Sequence, residues 1–466
     1  MKLINMLIIK QFKSLLIILL FFSNFELALG QYRNLDPDKS ITQYKLRSWT
    51  IDNGLPSNAI SNIIQSQDGY IWIATYGGVA KFDGIDFTKF TSYENSALYT
   101  EAAKIVCEDN DGTIWIGTQK GIALYKDSKL YRNKKLSPLD ETNIESIYID
   151  NKNQVWIGTN ASGLYKYSND SLIRVNSLDS LTNNSIFALF EDINGTLWIG
   201  TVKGELFKIK NEIIYTCDIK NSYGEIFSFF QDKEGIIWAA TSNGIFTIQK
   251  DKLIKHPDLD INFAENIIED NNGNIWISSS AYGLFRYNKT TRQTEILSEK
   301  NGLPNNRVIK IIFDKQGNLW GGTYRNGVFQ ISDGKFTCFS TTEGLYSNSS
   351  TAIMQYSENE FWIANEKGTI NILKDGNITK LHTKIPIQSP QIKHMFKDSK
   401  GCVWISTYGG LLKICHDKEI IYNTQNGFPD NFIRKTFEDL NGNIWICTNR
   451  SGLVKINPNG EIYLKG

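Results

Sequence analysis

Ile71-Trp72-Ile73-Ala74-Thr75-Tyr76-Gly77-Gly78-Val79 returns nine more times along a chain of 466 residues. The later copies are anchored on Trp115, Trp156, Trp198, Trp238, Trp276, Trp320, Trp362, Trp404 and Trp445. The tightest read Ile114-Trp115-Ile116-Gly117-Thr118, Val155-Trp156-Ile157-Gly158-Thr159 and Leu197-Trp198-Ile199-Gly200-Thr201. Successive tryptophans stand 38 to 44 residues apart, and only Trp49 falls outside the series. A fixed period of this size marks a repeat architecture.

Residues 58–91 show what one repeat builds. Asn58 to Gln67 is an apolar run that suits a buried strand, and Asp68-Gly69 is a turn. Tyr70 to Thr75 is β-branched and aromatic, Gly77-Gly78 turns the chain, and Val79 to Phe82 is a third strand. Asp83-Gly84 turns it again before an outer strand, Ile85 to Phe90. Four short strands with turn residues between them read as one up-and-down antiparallel sheet. Such a sheet cannot bury both faces alone. Stacking the sheets radially buries them, so the fold is expected to be all-β, a β-propeller of four-stranded antiparallel blades. A parallel β-helix is the competitor, but hairpin turns favour antiparallel pairing. One tryptophan at the same point of each second strand suits a wedge between blades, with roughly 150–250 Å² to bury at each.

The first turn of each repeat is rich in aspartate, as in Asp109-Asn110-Asp111-Gly112 and Asp439-Leu440-Asn441-Gly442. A calcium loop would place its glycine later and close with a glutamate. Aspartate bonding its own turn backbone, with glycine at positive φ, explains the pattern without metal. His256, His382, His394 and His416 are scattered and lack metal-ligand spacing. No nucleophile elbow or phosphate loop occurs. No cofactor, no metal and no catalysis are therefore expected.

Lys2, Lys10 and Lys13 precede the apolar run Leu15 to Phe22, and Ala28-Leu29-Gly30 follows. This is the pattern of a signal peptide, residues 1–30, cleaved before Gln31. It predicts an exported, periplasmic protein with no membrane span after signal cleavage. Without those residues the chain has 47 basic and 48 acidic side chains, a net charge of −1. A near-neutral surface without a basic block leaves no footprint for nucleic acid. The six cysteines, Cys107, Cys217, Cys338, Cys402, Cys415 and Cys447, fall at different points of the repeat. They read as small buried hydrophobes rather than disulfides. Cys402 and Cys415 flank one hairpin, on a pairing expected to point them to opposite faces.

Asp52-Asn53-Gly54-Leu55-Pro56-Ser57-Asn58, then Asp68-Gly69-Tyr70-Ile71-Trp72-Ile73-Ala74-Thr75, then Gly78-Val79-Ala80-Lys81-Phe82-Asp83-Gly84, resembles the two-component regulator propeller repeat. The Gly-Leu-Pro lead-in recurs at Gly302-Leu303-Pro304-Asn305-Asn306, and in weaker form at Gly344-Leu345-Tyr346 and Gly427-Phe428-Pro429. The likeness covers residues 42–466. It implies the periplasmic sensor region of hybrid two-component histidine kinases, whose members carry two seven-bladed propellers, a connector, a membrane helix and cytoplasmic parts. The sequence stops inside a tenth repeat, without connector, membrane helix or kinase. A stand-alone sensor subunit, or the front part of a split or truncated sensor, is expected.

Ten repeats exceed the usual ring. Lys45 to Ile51 resembles an outer strand, comparable to Lys335 to Thr341, without its own inner three. The expected arrangement is a seven-bladed propeller within residues 31–341 and three further blades, 342–466, of an incomplete second propeller. One ten-bladed ring over residues 41–466 is the alternative. Three blades alone leave an apolar face open for association.

Strand parity puts the Gly-Leu-Pro loops and the loops after each Trp-x-x-Thr on one rim of the channel. That rim carries Tyr76, Lys120, Asn160, Lys203, Asn243, Tyr282, Tyr324, Arg325, Glu366, Tyr408 and Arg450. Tyrosines beside Arg, Lys and Asn suit a small polar ligand such as an oligosaccharide. The expected function is ligand sensing with relay to a histidine kinase, or to a second propeller chain completing the open blades. A lyase or glycosidase propeller and a protein-interaction scaffold are the alternatives.

Overall fold

The strand Lys45–Trp49, which precedes the first repeat, pairs antiparallel with Val328–Ser332 near residue 330, Leu46 opposite Ile331. It thereby supplies the fourth strand of a sheet whose other three come from the seventh repeat. The computed structural model describes residues 34–175, 185–218, 223–387, 389, 391–416 and 418–465. The expected signal peptide lies outside them. Among the described residues there are ten four-stranded sheets, each antiparallel in sequence order apart from that one exchange. They divide into two compact units, Met1–Phe336 and Thr337–Gly466.

The first unit holds seven sheets, here blades 1 to 7, with inner strands Ile60–Gln65, Ala103–Glu108, Ile144–Ile149, Ile186–Glu191, Ile226–Gln231, Ala264–Glu269 and Val308–Phe313. Seven apolar clusters fill the seven gaps between them. One of these joins blade 7 to blade 1, packing Trp320 and Val328 on Ile60, Ile63 and Ile73. The unit is thus closed on itself. Trp49, the tryptophan outside the series, stacks on Trp320 at 5.1 Å in that gap. Lys335 to Thr341, expected to form an outer strand, does not: the place beside Val328–Ser332 is already taken by Lys45–Trp49.

The second unit holds blades 8 to 10, with inner strands Ser350–Ser357, Ile392–Lys397 and Ile433–Glu438. Two clusters fill its two gaps. Ile353 of blade 8 is 68% exposed, although its counterparts Ile63, Val106 and Ile267 are buried against the neighbouring blade.

The tryptophans are wedges. Trp72, Trp115, Trp156, Trp198, Trp238, Trp276, Trp320, Trp362 and Trp404 are all buried; Trp445 alone is half-exposed, with no described sheet beyond it. The aspartate turns explain how eight of the ten wedges are held. In blade 2, Asp109 Oδ1 accepts the Asp111 and Thr113 amides, and Asp109 Oδ2 accepts Trp115 Nε1–H at 2.9 Å. The same bond joins Trp156 to Asp150, Trp198 to Asp192, Trp238 to Asp232, Trp276 to Asp270, Trp320 to Asp314, Trp404 to Asp398 and Trp445 to Asp439. Each carboxylate is spent on its turn and its indole, with glycine at positive φ completing the turn, as at Gly112 (φ 76°). Blade 8 substitutes Glu360, two residues before Trp362.

Cysteine chemistry departs from expectation. Cys402 and Cys415 are joined in a disulfide. Val403 pairs with Ile414, so the next pair outward sets Cys402 directly opposite Cys415, and directly opposed residues share a face. Of the others, Cys107 and Cys217 pack half-buried against apolar clusters, Cys447 is half-buried and Cys338 is exposed. No helix among the described residues is long and apolar enough to cross a membrane.

Candidate ligand channel

Every inner strand of the chain shifts register by one residue near its start. In blade 1, Ile60 pairs with Thr75 but Asn62 pairs with Ala74, so Ser61 is the extra residue of a β-bulge. The same bulge falls at Lys104, Glu145, Phe187, Phe227, Glu265 and Ile309 in blades 2 to 7. A bulge re-aims its side chain. Here all seven bulged residues line one cavity of about 580 Å³, enclosed by the seven inner strands of the first unit.

The lining has two halves. On blades 4 and 5, Phe187 and Phe227 stack at 6.2 Å and 16°. The remaining blades carry a polar and aromatic arc. Lys104 Nζ lies 3.6 Å from Glu145 Oε2 and 5.4 Å over the Tyr76 ring. Tyr76 meets Tyr324 edge-on at 6.2 Å, and the Arg307 guanidinium sits 4.1 Å over Tyr324. Asn143 Nδ2 donates to Glu145 Oε1.

Burial pushes the Glu265 carboxyl up from 4.5 to about 7, against a lowering hydrogen bond from Ser280 and the Arg307 charge; Glu225 adds to the rise. Burial also pulls the Lys310 ammonium down from 10.5 to about 8. A raised carboxyl stabilises the fold fully below its unfolded value and loses that contribution as pH climbs to the folded one. Stability should therefore fall between pH 4.5 and about 7 on account of Glu265. Glu265→Gln is expected to flatten this part of the profile, equalling wild type at pH 4.5 and exceeding it at pH 8 in thermal melts. An unchanged slope in the variant would rule out this role.

The loops place the expected rim residues unevenly. The Gly-Leu-Pro loop does lie beside the loop after Trp-x-x-Thr: a Cβ on Gly77 would stand 2.8 Å from Pro56 O. Leu55, Leu303, Leu345 and Phe428 plug the lead-ins into the core. The fourth residue after each tryptophan anchors to the start of the inner strand. Tyr76 N–H donates to Ala59 O, Gln119 to Ala102, Ser280 to Phe263 and Tyr324 to Arg307. Of the expected residues, Tyr76 and Tyr324 reach the cavity, and Ser280 reaches it from the same offset. Lys120, Lys203, Asn243, Tyr282 and Arg325 stand one or two positions further along, exposed on loop tips. Lys120 pairs with Glu141 there at 3.2 Å. Asn160 has the right offset, is exposed, and accepts from Ser185 Oγ. In the second unit, Glu366 accepts from Ser347 Oγ. Tyr408 gathers Lys393 at 4.6 Å and Phe432 at 5.3 Å, while Arg450 covers Phe432 at 4.3 Å.

The family model described as two component regulator propeller matches residues 54–77, 103–120, 138–161, 180–203 and 302–325, all within the first unit. Those five segments are two-component regulator propeller repeats by this match. No curated protein sequence matches it. Among solved structures, one described as the extracellular domain of a hybrid two-component system from B. thetaiotaomicron is similar, with TM-score 0.70 and 20% identity, covering 91% of this chain and 66% of its own. A second, described as the extracellular domain of a one-component system from the same organism, has TM-score 0.53 and 17% identity, covering 91% and 67%. A streptogramin B lyase reaches TM-score 0.50 at 14% identity, covering 63% of this chain and 99% of its own. At these identities the likeness establishes the propeller fold. The chain spans somewhat less than two thirds of the first structure's length.

Proposed function

We propose that this chain is an exported, periplasmic ligand-sensing part of a two-component signalling system, without catalysis of its own, that binds a small polar ligand in the channel of blades 1 to 7. The observation that carries this reading is the division of the cavity into a stacked Phe187–Phe227 pair and an arc of Tyr76, Lys104, Glu145, Glu265, Arg307 and Tyr324. Stacking faces opposite hydrogen-bonding edges suit an oligosaccharide, whose rings have apolar C–H faces and polar rims. The bulges concentrate the chemical variety of the repeats at this one level, while the scaffold around it stays constant. Extracellular domains of signalling systems among the similar structures support the sensor role.

In this reading residues 342–466 are three blades of an incomplete second propeller. Exposed Ile353 on one face and half-exposed Trp445 on the other are where further blades, of a second propeller chain or of the kinase partner, would pack. Relay to a histidine kinase would pass through that contact.

A thermal-shift screen of the exported chain against oligosaccharides tests the proposal. A ligand that binds only the folded state raises stability by about 2.7 kcal/mol at one hundred times its Kd. A saturable rise with one saccharide class, and no product formed, is the expected result. Silence across the panel would favour the scaffold reading, and product release would favour a lyase or glycosidase.

A further inference from the structure

One group in the channel is left over after its internal pairing. Lys104 has Glu145, and Arg307 faces Glu265. Lys310, third residue of the blade 7 inner strand, faces the same cavity with no hydrogen-bonding or ionic partner among the described residues. Asn266 and Asn62 occupy the same place on the strands to either side, in blades 6 and 1. Asn266 is spent, since its Oδ1 accepts the Ile311 amide at 3.2 Å. Asn62 Oδ1 has no hydrogen-bond partner either, but it is sealed within the wall of the cavity and closed to a ligand.

We infer that the ligand is an anionic oligosaccharide, whose carboxylate or sulfate ester is held by Lys310. The inference rests on the channel being the ligand site. An ammonium kept in a narrow channel without a counter-ion is costly unless an anion completes it. A sugar acid or sulfated sugar supplies that anion, and its C–H face suits the Phe187–Phe227 pair. A neutral sugar would leave Lys310 unpaired. A simple inorganic anion would satisfy Lys310 and leave the aromatic pair uncovered. The depressed Lys310 pKa agrees with a cation that nothing in the protein compensates.

Calorimetric titration of the exported chain with tri-galacturonate, its methyl ester, a sulfated disaccharide and the desulfated disaccharide tests this. At least one charged member is expected to bind ten-fold or more tighter than its neutral counterpart, and which one identifies the anion. Lys310→Met should abolish that preference while raising the melting temperature of the free protein, which shows that the variant folds. Equal binding of charged and neutral counterparts, or a preference surviving in Lys310→Met, would overturn the inference and leave the channel sensor intact. Binding of none of these or of any other saccharide would overturn both.

Discussion

Replacing Trp276 by alanine is expected to destabilise the first unit by about 3–5 kcal/mol. Its side chain is fully buried, bonds Asp270 through Nε1, and packs against Phe313 and Tyr44. Removing it leaves a cavity between blades 6 and 7 that neighbouring sheets, fixed by their own ladders, cannot close. The Asp270 oxygen then loses a donor as well. The same change at Trp445, which is half-exposed, should cost at most about half as much, because less area returns to water and less cavity forms. Urea unfolding followed by far-UV circular dichroism distinguishes the two. Equal losses at both positions would mean that the tryptophans act within their own sheets and not as wedges between them.

Arg286→Met is expected to be the next most damaging change, by another route. Arg286 is 7% exposed and reaches three partners from blade 6. It forms a salt bridge to Glu295, donates to Tyr44 Oη at 2.5 Å, and donates to Lys39 O at 2.6 Å. Tyr44 Oη in turn donates to Asp36 O, and burial raises the Tyr44 phenol well above its ordinary range. This one guanidinium therefore clasps residues 36–44 onto the ring, next to the strand that closes blade 7. Breaking a fully buried ion pair from one side costs about 3–5 kcal/mol; here Glu295 is 32% exposed and keeps the Ser40 hydroxyl and Ile41 amide as donors, so about 2–3 kcal/mol is expected. Hydrogen exchange should show residues 34–49 losing protection before the rest of the unit. Protection unchanged there, with a loss below about 1 kcal/mol, would mean that the closing strand holds without the clasp.

The parts of this molecule that could be read from the chain are those that recur. The tryptophan period announced the blades because each wedge must meet the same packing at the same place. The aspartate turns could be read as backbone turns, yet their second task, gripping the indole, depends on a sheet curling its own turn over its second strand. The spare strand before the first repeat was legible as a closing strand, whereas Lys335 to Thr341 looked equally like one and is not.

The candidate site was less legible for a physical reason. Its residues vary from copy to copy, so no period marks them. Tyr76 and Tyr324 could be found by their chemistry, but Lys120, Lys203 and Tyr282 have similar chemistry and stand one or two residues too far along. A fixed offset of four from each tryptophan would have given Ser280 in place of Tyr282. Lys104, Glu145, Phe187, Phe227 and Glu265 read as members of buried strands, and only the bulge in the inner strand turns them into the channel. Cys402 and Cys415 show the same limit, since a register error of one residue reverses the face on which a side chain stands.

The most direct test of a ligand channel in blades 1 to 7 is titration of a bound oligosaccharide into wild type and into the Tyr76→Ala/Tyr324→Ala double variant. The account predicts that the variant keeps its fold by circular dichroism and binds at least about thirty-fold more weakly, a loss near 2 kcal/mol. Undiminished affinity would place the ligand elsewhere on the chain and contradict it.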